Sequence, residues 1–249
     1  MCSIIPRMRV ATWNLERATA NEPRASRLRQ TMRQVSADVW VLTETDSNLI
    51  PEGAATSISS ETPERRHRKG ERWVVLWSRR LDLEPMATTD PVRTVCGRLR
   101  PETGPPVLMY GTVLPWRADV RFHPARGGDA FCLALASQAA DWQRLLHANP
   151  GHVLCVAGDF NQELDSPCRV GTRKGQHALT QALTGAGLIC LSSGANDPLR
   201  RQTAGVRNTI DHICISSTIA ALAGSSQCWP DHLAGLTDHY GTWVDLADT

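Results

Sequence analysis

One stretch constrains this chain more than any other: Val153-Leu154-Cys155-Val156-Ala157-Gly158-Asp159-Phe160-Asn161. An apolar run of strand length stops abruptly in Gly-Asp-x-Asn, so a buried strand delivers an acid and an amide to its exit. Gly158 lets the backbone turn sharply there or lets another group come close. Asp159 and Asn161 are two apart, so both point the same way if strand geometry persists. Such a pair suits phosphate chemistry: the acid holds a water or a metal, and the amide donates to a phosphoryl oxygen. An Asx-turn closing a strand, with Asn161 capping the next segment, explains the same residues without chemistry.

The pattern recurs, and the recurrence favours chemistry. Arg9 to Leu15 reads as a strand leading to Asn14 and Glu16. Asp38 to Leu42 runs straight into Thr43-Glu44-Thr45-Asp46. Thr209 to Ile215 carries Asp211 and His212 inside a strand, and Leu236-Thr237-Asp238-His239-Tyr240 precedes a final strand at Thr242 to Leu246. Carboxylates beside apolar strands are costly unless a cation or cationic side chain meets them. Oxygen donors without paired Cys or His spacing suit Mg²⁺ or Mn²⁺ better than zinc.

Other segments fill in a frame. Trp73 to Ser78, Val92 to Leu99, Val107 to Leu114 and Leu188 to Leu191 read as strands. Arg24 to Val35, Phe131 to Leu146 and Gln176 to Ala186 carry helical apolar stripes. Asn48 to Gly70 reads as a long polar loop, with a weak strand at best. Roughly ten strands and three helices in this order suit two packed sheets with helices outside, and 1–249 reads as one domain.

Composition narrows the partners. The chain has 27 Lys+Arg against 25 Asp+Glu, a balance of only +2, so no overall field advertises a polyanion. Local basic density lies in Arg65-Arg66-His67-Arg68-Lys69, read as a solvated loop. None of the eight cysteines forms a C-x-x-C pair, and several lie in apolar runs, so they read as small buried hydrophobes in a reducing compartment. Pro6 and Arg7 cut short any signal-like apolar core, and no apolar run approaches the ~20 residues of a membrane span. The expectation is a cytoplasmic protein with no obligate protein partner.

With Thr12-Trp13-Asn14-Leu15-Glu16, Leu42-Thr43-Glu44-Thr45, Gly158-Asp159-Phe160-Asn161, Ile210-Asp211-His212-Ile213 and Thr237-Asp238-His239-Tyr240 in this order, the chain resembles the endonuclease/exonuclease/phosphatase superfamily, of the exonuclease III and DNase I type. The resemblance implies an α/β fold, a four-layer α/β/β/α sandwich of two mainly antiparallel sheets with the site at one edge. It implies Glu44 as main Mg²⁺ ligand with Asn14 and Glu16 beside it, and Asp238 as a second metal-side acid. Asp159 would orient or deprotonate the attacking water, Asn161 would hold phosphoryl oxygens, and His239, held in its tautomer by Asp211, would contact the scissile phosphate. The substrate implied is a phosphodiester, DNA or RNA. A phosphatase on a small or lipid-derived phosphate is an alternative, as is a member that binds phosphate without hydrolysis.

The chain departs from the family in one place. Many members carry His or Tyr where this chain has Val113, which cannot donate to phosphate. Tyr110, Arg117 and His123 are the candidate substitutes, and Arg17 and Trp116 are further candidates for a substrate rim. The acid motif Thr43-Glu44-Thr45-Asp46 also lacks the Gln-Glu-x-Lys form of abasic-site endonucleases. His212 reads as structural, because neighbours on a strand face opposite ways, and His232 has only a weak claim.

Overall fold

The computed structural model describes residues 7–50, 53, 56–62, 68–117, 128–229 and 236–247. Its frame begins with strand β1 (Arg7–Ala18), helix α1 (Ala25–Val35) and strands β2 (Val39–Asp46), β3 (Thr56–Ser59), β4 (Glu71–Ser78), β5 (Glu84–Met86), β6 (Thr94–Leu99) and β7 (Val107–Val113). Helix α2 (Gly128–Ala148), β8 (Val153–Asp159), α3 (Arg173–Gly185), β9 (Leu188–Cys190) and the short α4 (Pro198–Gln202) come next. The chain then forms β10 (Asp211–Ser216), β11 (Gln227–Cys228) and β12 (Thr242–Ala247). The long loop expected before Gly70 contributes β3, an edge strand whose side chains alternate between half-buried and exposed.

The strands form two six-stranded sheets, in the orders β11-β12-β1-β2-β4-β3 and β5-β6-β7-β8-β10-β9. Each sheet has one parallel pair, β1 with β2 and β7 with β8, and is otherwise antiparallel.

Strand periodicity explains the layering. Along β8, Val153, Cys155 and Ala157 join the core between the sheets, while Leu154 and Val156 face α2 and α3. Along β2, Val39 and Val41 enter the same central core, while Trp40 and Leu42 pack against the α1 side. A strand apolar on both faces reads as a continuous run, which is why these segments stand out in the sequence. The helices close the outer faces. On α1, Leu28, Met32 and Val35 repeat at helical spacing and are buried, and Ser36 ends the helix in a left-handed turn at φ 55° with its N–H on the Met32 carbonyl. Helix α3 starts where the Thr172 hydroxyl accepts from the Gly175 N–H at 2.9 Å. The result is the expected α/β/β/α order.

All seven described cysteines are free, and burial pushes the Cys96 and Cys155 thiols up to about 12, as small core hydrophobes rather than nucleophiles. Among the described residues no helix is long and apolar enough to cross a membrane.

One glycine fixes how β8 leaves its sheet. Gly158 lies at φ 141°, and a Cβ there would sit 2.0 Å from the Thr112 carbonyl oxygen of β7. Only a residue without a side chain permits that approach, and it aims the next residue, Asp159, along the inter-sheet side. Gly158→Ala is therefore expected to destabilise the fold by ~3 kcal/mol, from a backbone clash plus an unfavourable dihedral. A urea midpoint equal to that of the unaltered protein would contradict this.

Candidate active site

Alternation carries Asn14, Asp159 and Asp211 into the space between the sheets, at the end where β8 stops and β10 starts. Asn14 shares the face of Val10 on β1, Asp159 that of Ala157 on β8, and Asp211 that of Ile213 on β10. Asp211 and Asp159 are direct register partners in their sheet. All three side chains are buried.

Glu44 does not reach this group by alternation. On a regular strand it would share the helix-facing side of Trp40 and Leu42. Instead the β1–β2 ladder breaks: Asn14 pairs Thr43 and Ala18 pairs Thr45, so Glu44 faces three residues of β1. Glu16, Arg17 and Glu44 take left-handed backbone at φ 49°, 56° and 45°, and Asn161, just past β8, does so at 49°. Left-handed backbone costs a non-glycine residue of order 1 kcal/mol each, and its concentration at one end of the sandwich marks a place where geometry outranks stability.

The Asn14 amide joins the sheets. Its Nδ2 donates to Glu44 Oε1 at 3.0 Å and to Asp159 Oδ2 at 2.9 Å, while its Oδ1 accepts the Glu16 N–H at 2.8 Å. Asp159 also accepts the Asn161 N–H at 2.8 Å. On the far side, His239 Nδ1 lies 2.7 Å from Asp211 Oδ2. The imidazole is braced from behind: Thr237 Oγ1 accepts the His239 N–H at 3.2 Å and donates to the Asn14 carbonyl at 2.8 Å. Trp13 Nε1 donates to the His239 carbonyl at 3.3 Å. His239 Nε2 therefore points away from Asp211, with Asp238 Oδ1 3.8 Å from it.

Charge is unbalanced here. Glu44, Asp159, Asp211 and Asp238 surround one imidazole, and Asp211 Oδ1 is buried with no hydrogen-bond partner among the described residues. Burial pushes the Asp159 carboxyl well above its ordinary value, Asp211 and Glu44 add to the rise, and His239 opposes it. Burial likewise raises Glu44, helped by Asp238 and opposed by Asn14, His239 and Arg17. For His239 burial favours the neutral ring, but Asp211 and Asp159 outweigh it and push it up to about 10. A hard divalent cation fits this oxygen-rich surplus of negative charge. Asp159, Asp211 and His239 also offer ligand atoms within 4.8 Å of one another. With His239 Nδ1 already on Asp211, the Glu44 side is the freer position for an ion.

Several expected site residues stand elsewhere. The Glu16 carboxylate, half-exposed at 49%, is held by Arg24 at 2.7 Å and so is spent on an ion pair. Asn161 Nδ2 donates to the Leu114 carbonyl and to Asp159 Oδ2, both at 3.0 Å, which makes it an orienter of Asp159 rather than a free phosphate donor. Arg17 is paired with buried Glu71, through Nη2 to Oε2 at 3.1 Å. Tyr110 is fully buried beside Trp142, with its hydroxyl 3.2 Å from Asp141 Oδ2, so it cannot meet a substrate. It lies on the helix-facing side of β7, and Val113 packs in the central core. Trp116 is exposed at 56%, and Arg117 is exposed beside it, just beyond the Leu114 carbonyl that Asn161 touches. His123 and His232 lie outside the described residues, as do Arg65, Arg66 and His67. His212 is structural as expected: its ring bonds Ser192 Oγ at 3.1 Å and the Gln162 carbonyl at 3.0 Å.

Thr237 and Trp13 were not singled out as braces for His239. The only hint in the sequence is the hydroxyl two residues ahead of the histidine, a spacing suited to a local side-chain-to-backbone bond.

The sequence profile of the Endonuclease/Exonuclease/phosphatase family matches residues 11–239. No curated protein sequence matches the chain. Solved structures do. The endonuclease domain of TRAS1, a telomere-specific non-LTR retrotransposon, is 14% identical, with 97% of this chain and 99% of that one covered at a TM-score of 0.64. The AP endonuclease LMAP from Leishmania major is 13% identical, with coverage of 98% and 88% and a TM-score of 0.71. An AP endonuclease from Archaeoglobus fulgidus is 13% identical, with coverage of 97% and 100% and a TM-score of 0.69. At these identities the likeness is one of fold.

The His239–Asp211 pair gives a testable pH signature. His239 is raised above its ordinary 6.5, so the stability it contributes is full below about pH 6.5 and is lost as pH rises through about 10. In metal-free protein, NMR should find the His239 ring still protonated at pH 8. Asp211→Asn should lower its midpoint by more than one unit, and an unmoved midpoint would mean the pairing is not what holds the proton.

Proposed function

Given that the chain belongs to the Endonuclease/Exonuclease/phosphatase family, we propose that it is a divalent-cation-dependent hydrolase of phosphodiester bonds, with nucleic acid as its substrate class. The observation that carries this reading is the Asn14 amide bridging Glu44 and Asp159 across the two sheets, opposite an anchored imidazole. Phosphoryl transfer asks for positioning and charge neutralisation more than for covalent chemistry, and the site offers both.

Glu44 would hold Mg²⁺ or Mn²⁺, with Asn14 and Asp238 beside it. Such an ion, when bound, neutralises charge on the phosphoryl oxygens and the leaving oxygen. The remaining work falls to side chains. Asp159 orients a water and takes its proton, for which its burial-raised carboxyl is suited. Asn14 and Asn161 fix the Asp159 carboxylate by donating to the same oxygen, Oδ2. Asp211 holds His239 Nδ1, so that a protonated Nε2 faces the substrate side and donates to a phosphoryl oxygen. The complete acid–amide–imidazole set argues against a binding-only member. We further propose that 1–249 acts as one catalytic unit, since these residues span nearly its whole length.

The phosphoryl centre would sit between two flanks. One is the exposed Trp116–Arg117 corner beyond β7, and the other is the surface around Arg207 and Tyr240 beside β10. Groups on both sides suit a diester, with a substituent each way, better than a terminal monoester.

Glu44→Gln and His239→Ala should each lower turnover of a phosphodiester by ~10³-fold while circular dichroism stays native. EDTA should abolish activity, and Mg²⁺ or Mn²⁺ should restore it. Turnover that survives either substitution, or that persists in metal-free buffer, would refute the assignment.

A further inference from the structure

Two facing cysteines lie on the helix side of the second sheet, apart from the phosphodiester chemistry. Cys190 on β9 and Cys214 on β10 are direct register partners, and both thiols are free. The Leu191 N–H donates to the Ile213 carbonyl and the Ser217 N–H to the Gly187 carbonyl, both at 2.8 Å. Hydrogen-bonded pairs alternate with non-hydrogen-bonded ones along an antiparallel ladder, so Cys190 and Cys214 form a pair of the second kind. Such a pair places its Cα atoms about 4.5 Å apart with the side chains close, inside the ~4.4–6.8 Å that a disulfide spans.

His212 completes the group. It shares the Cys214 face of β10, whereas Asp211 shares the face of Ile213 between the sheets. Its Nε2 meets the Gln162 carbonyl at 3.0 Å. A carbonyl only accepts, so Nε2 carries the proton and Nδ1 is left to take one. Nδ1 lies 3.5 Å from Cys190 Sγ. Ser192 Oγ stands 3.1 Å from Nδ1 and 3.6 Å from the same sulfur, within reach of either. A thiol, an imidazole and a carbonyl that orients it are the parts that activate a sulfur nucleophile. Burial opposes the Cys190 thiolate, but the facing Cys214 thiol, His212 and Ser192 outweigh it and hold Cys190 well below the usual thiol value.

The two cysteines differ in access and in character. Cys190 is half-buried on the edge strand of its sheet, beside Ile189 at 46% exposure, whereas Cys214 is fully buried one strand further in. Burial, helped by Cys190 and Cys155, keeps the Cys214 thiol well above its usual value. Cys190 is therefore the sulfur that a small oxidant meets first, and meets as a thiolate. Cys214 stands behind it as the thiol that completes a bridge.

We propose that Cys190 and Cys214 are a reversible disulfide site, oxidised by hydroperoxide with His212 as the base. The Cys190 thiol gives its proton to His212 Nδ1, and the thiolate attacks one oxygen of hydrogen peroxide. An S–O bond forms, the O–O bond breaks, and the departing hydroxide takes the proton back from His212 and leaves as water. The Cys214 sulfur then attacks the Cys190 sulfenic acid. The S–S bond forms, the S–O bond breaks, and the second hydroxide leaves as water with the Cys214 proton. Two thiols give up two electrons and one peroxide becomes two waters; a dithiol reverses the change by exchange. The bridge fastens edge strand β9 to β10 and closes segment 191–213 into a loop.

The test is peptide mapping of the full chain, first reduced, then exposed to hydrogen peroxide, with the remaining thiols blocked by iodoacetamide. One linked pair of peptides, Cys190 with Cys214, should form before any other described cysteine is oxidised, and dithiothreitol should remove it. Cys190→Ser should leave Cys214 reduced under the same exposure. Cys214→Ser should halt the reaction at a Cys190 sulfenic acid, captured by dimedone. His212→Gln should slow oxidation of Cys190 by roughly tenfold or more, and an unchanged rate would overturn its role as base. Oxidation of Cys96 or Cys155 as fast as Cys190 would overturn the site, as would a Cys190 that is oxidised while Cys214 stays a free thiol. Mapping of the unaltered chain decides the linkage even where a buried substitution misfolds.

Discussion

The clasp made by Asn14 is what the rest of the site depends on. Two sheets packed through aliphatic side chains have no polar feature to fix how their ends meet. The Asn14 amide supplies one, because a single nitrogen donates to a carboxylate in its own sheet, Glu44, and to one in the opposite sheet, Asp159. Both carboxylates sit in surroundings that favour their neutral forms, so the arrangement is held by hydrogen bonds and awaits positive charge. His239 supplies part of that charge from the opposite side, and a divalent cation would supply the rest.

Backbone and packing are arranged to make the clasp possible. Gly158 permits β8 to run close under Thr112, and the irregularity of β1 against β2 turns Glu44 off the helix-facing side. Thr237 ties the His239 loop to the Asn14 carbonyl, so the residue that bridges the carboxylates also carries the brace for the imidazole. Behind it, Trp13 meets Trp229 edge-on at 5.3 Å and reaches the His239 carbonyl, so the loop rests on the aromatic layer outside the sheet. Small changes at any of these points would move several groups at once.

Much of this was legible in the sequence, and the failures have physical reasons. The central strands are buried on both faces and read as long apolar runs, so β2, β4, β7 and β8 and the three main helices were evident. Short edge strands such as β5 and β11 bury little and leave no periodic trace. Asp159 stood out as a candidate because it ends an apolar run, whereas Asp211 and His239 stood out through the order of the family's motifs. Tyr110 was misjudged because proximity along a strand says nothing of which face a residue takes, and it faces the helices. The ion partners of Glu16 and Arg17, which are Arg24 and Glu71, were not legible because they are set by folding rather than by local pattern.

The claim that Glu44 and its Asn14-held neighbourhood gather a cation is tested most directly by titrating Mn²⁺ into the protein and following the metal by electron paramagnetic resonance. The account expects the unaltered chain to bind Mn²⁺, and Glu44→Gln to weaken that binding by roughly tenfold or more, with Asn14→Ala weakening it in the same direction. Binding of Mn²⁺ that is unchanged in the Glu44→Gln protein would contradict it.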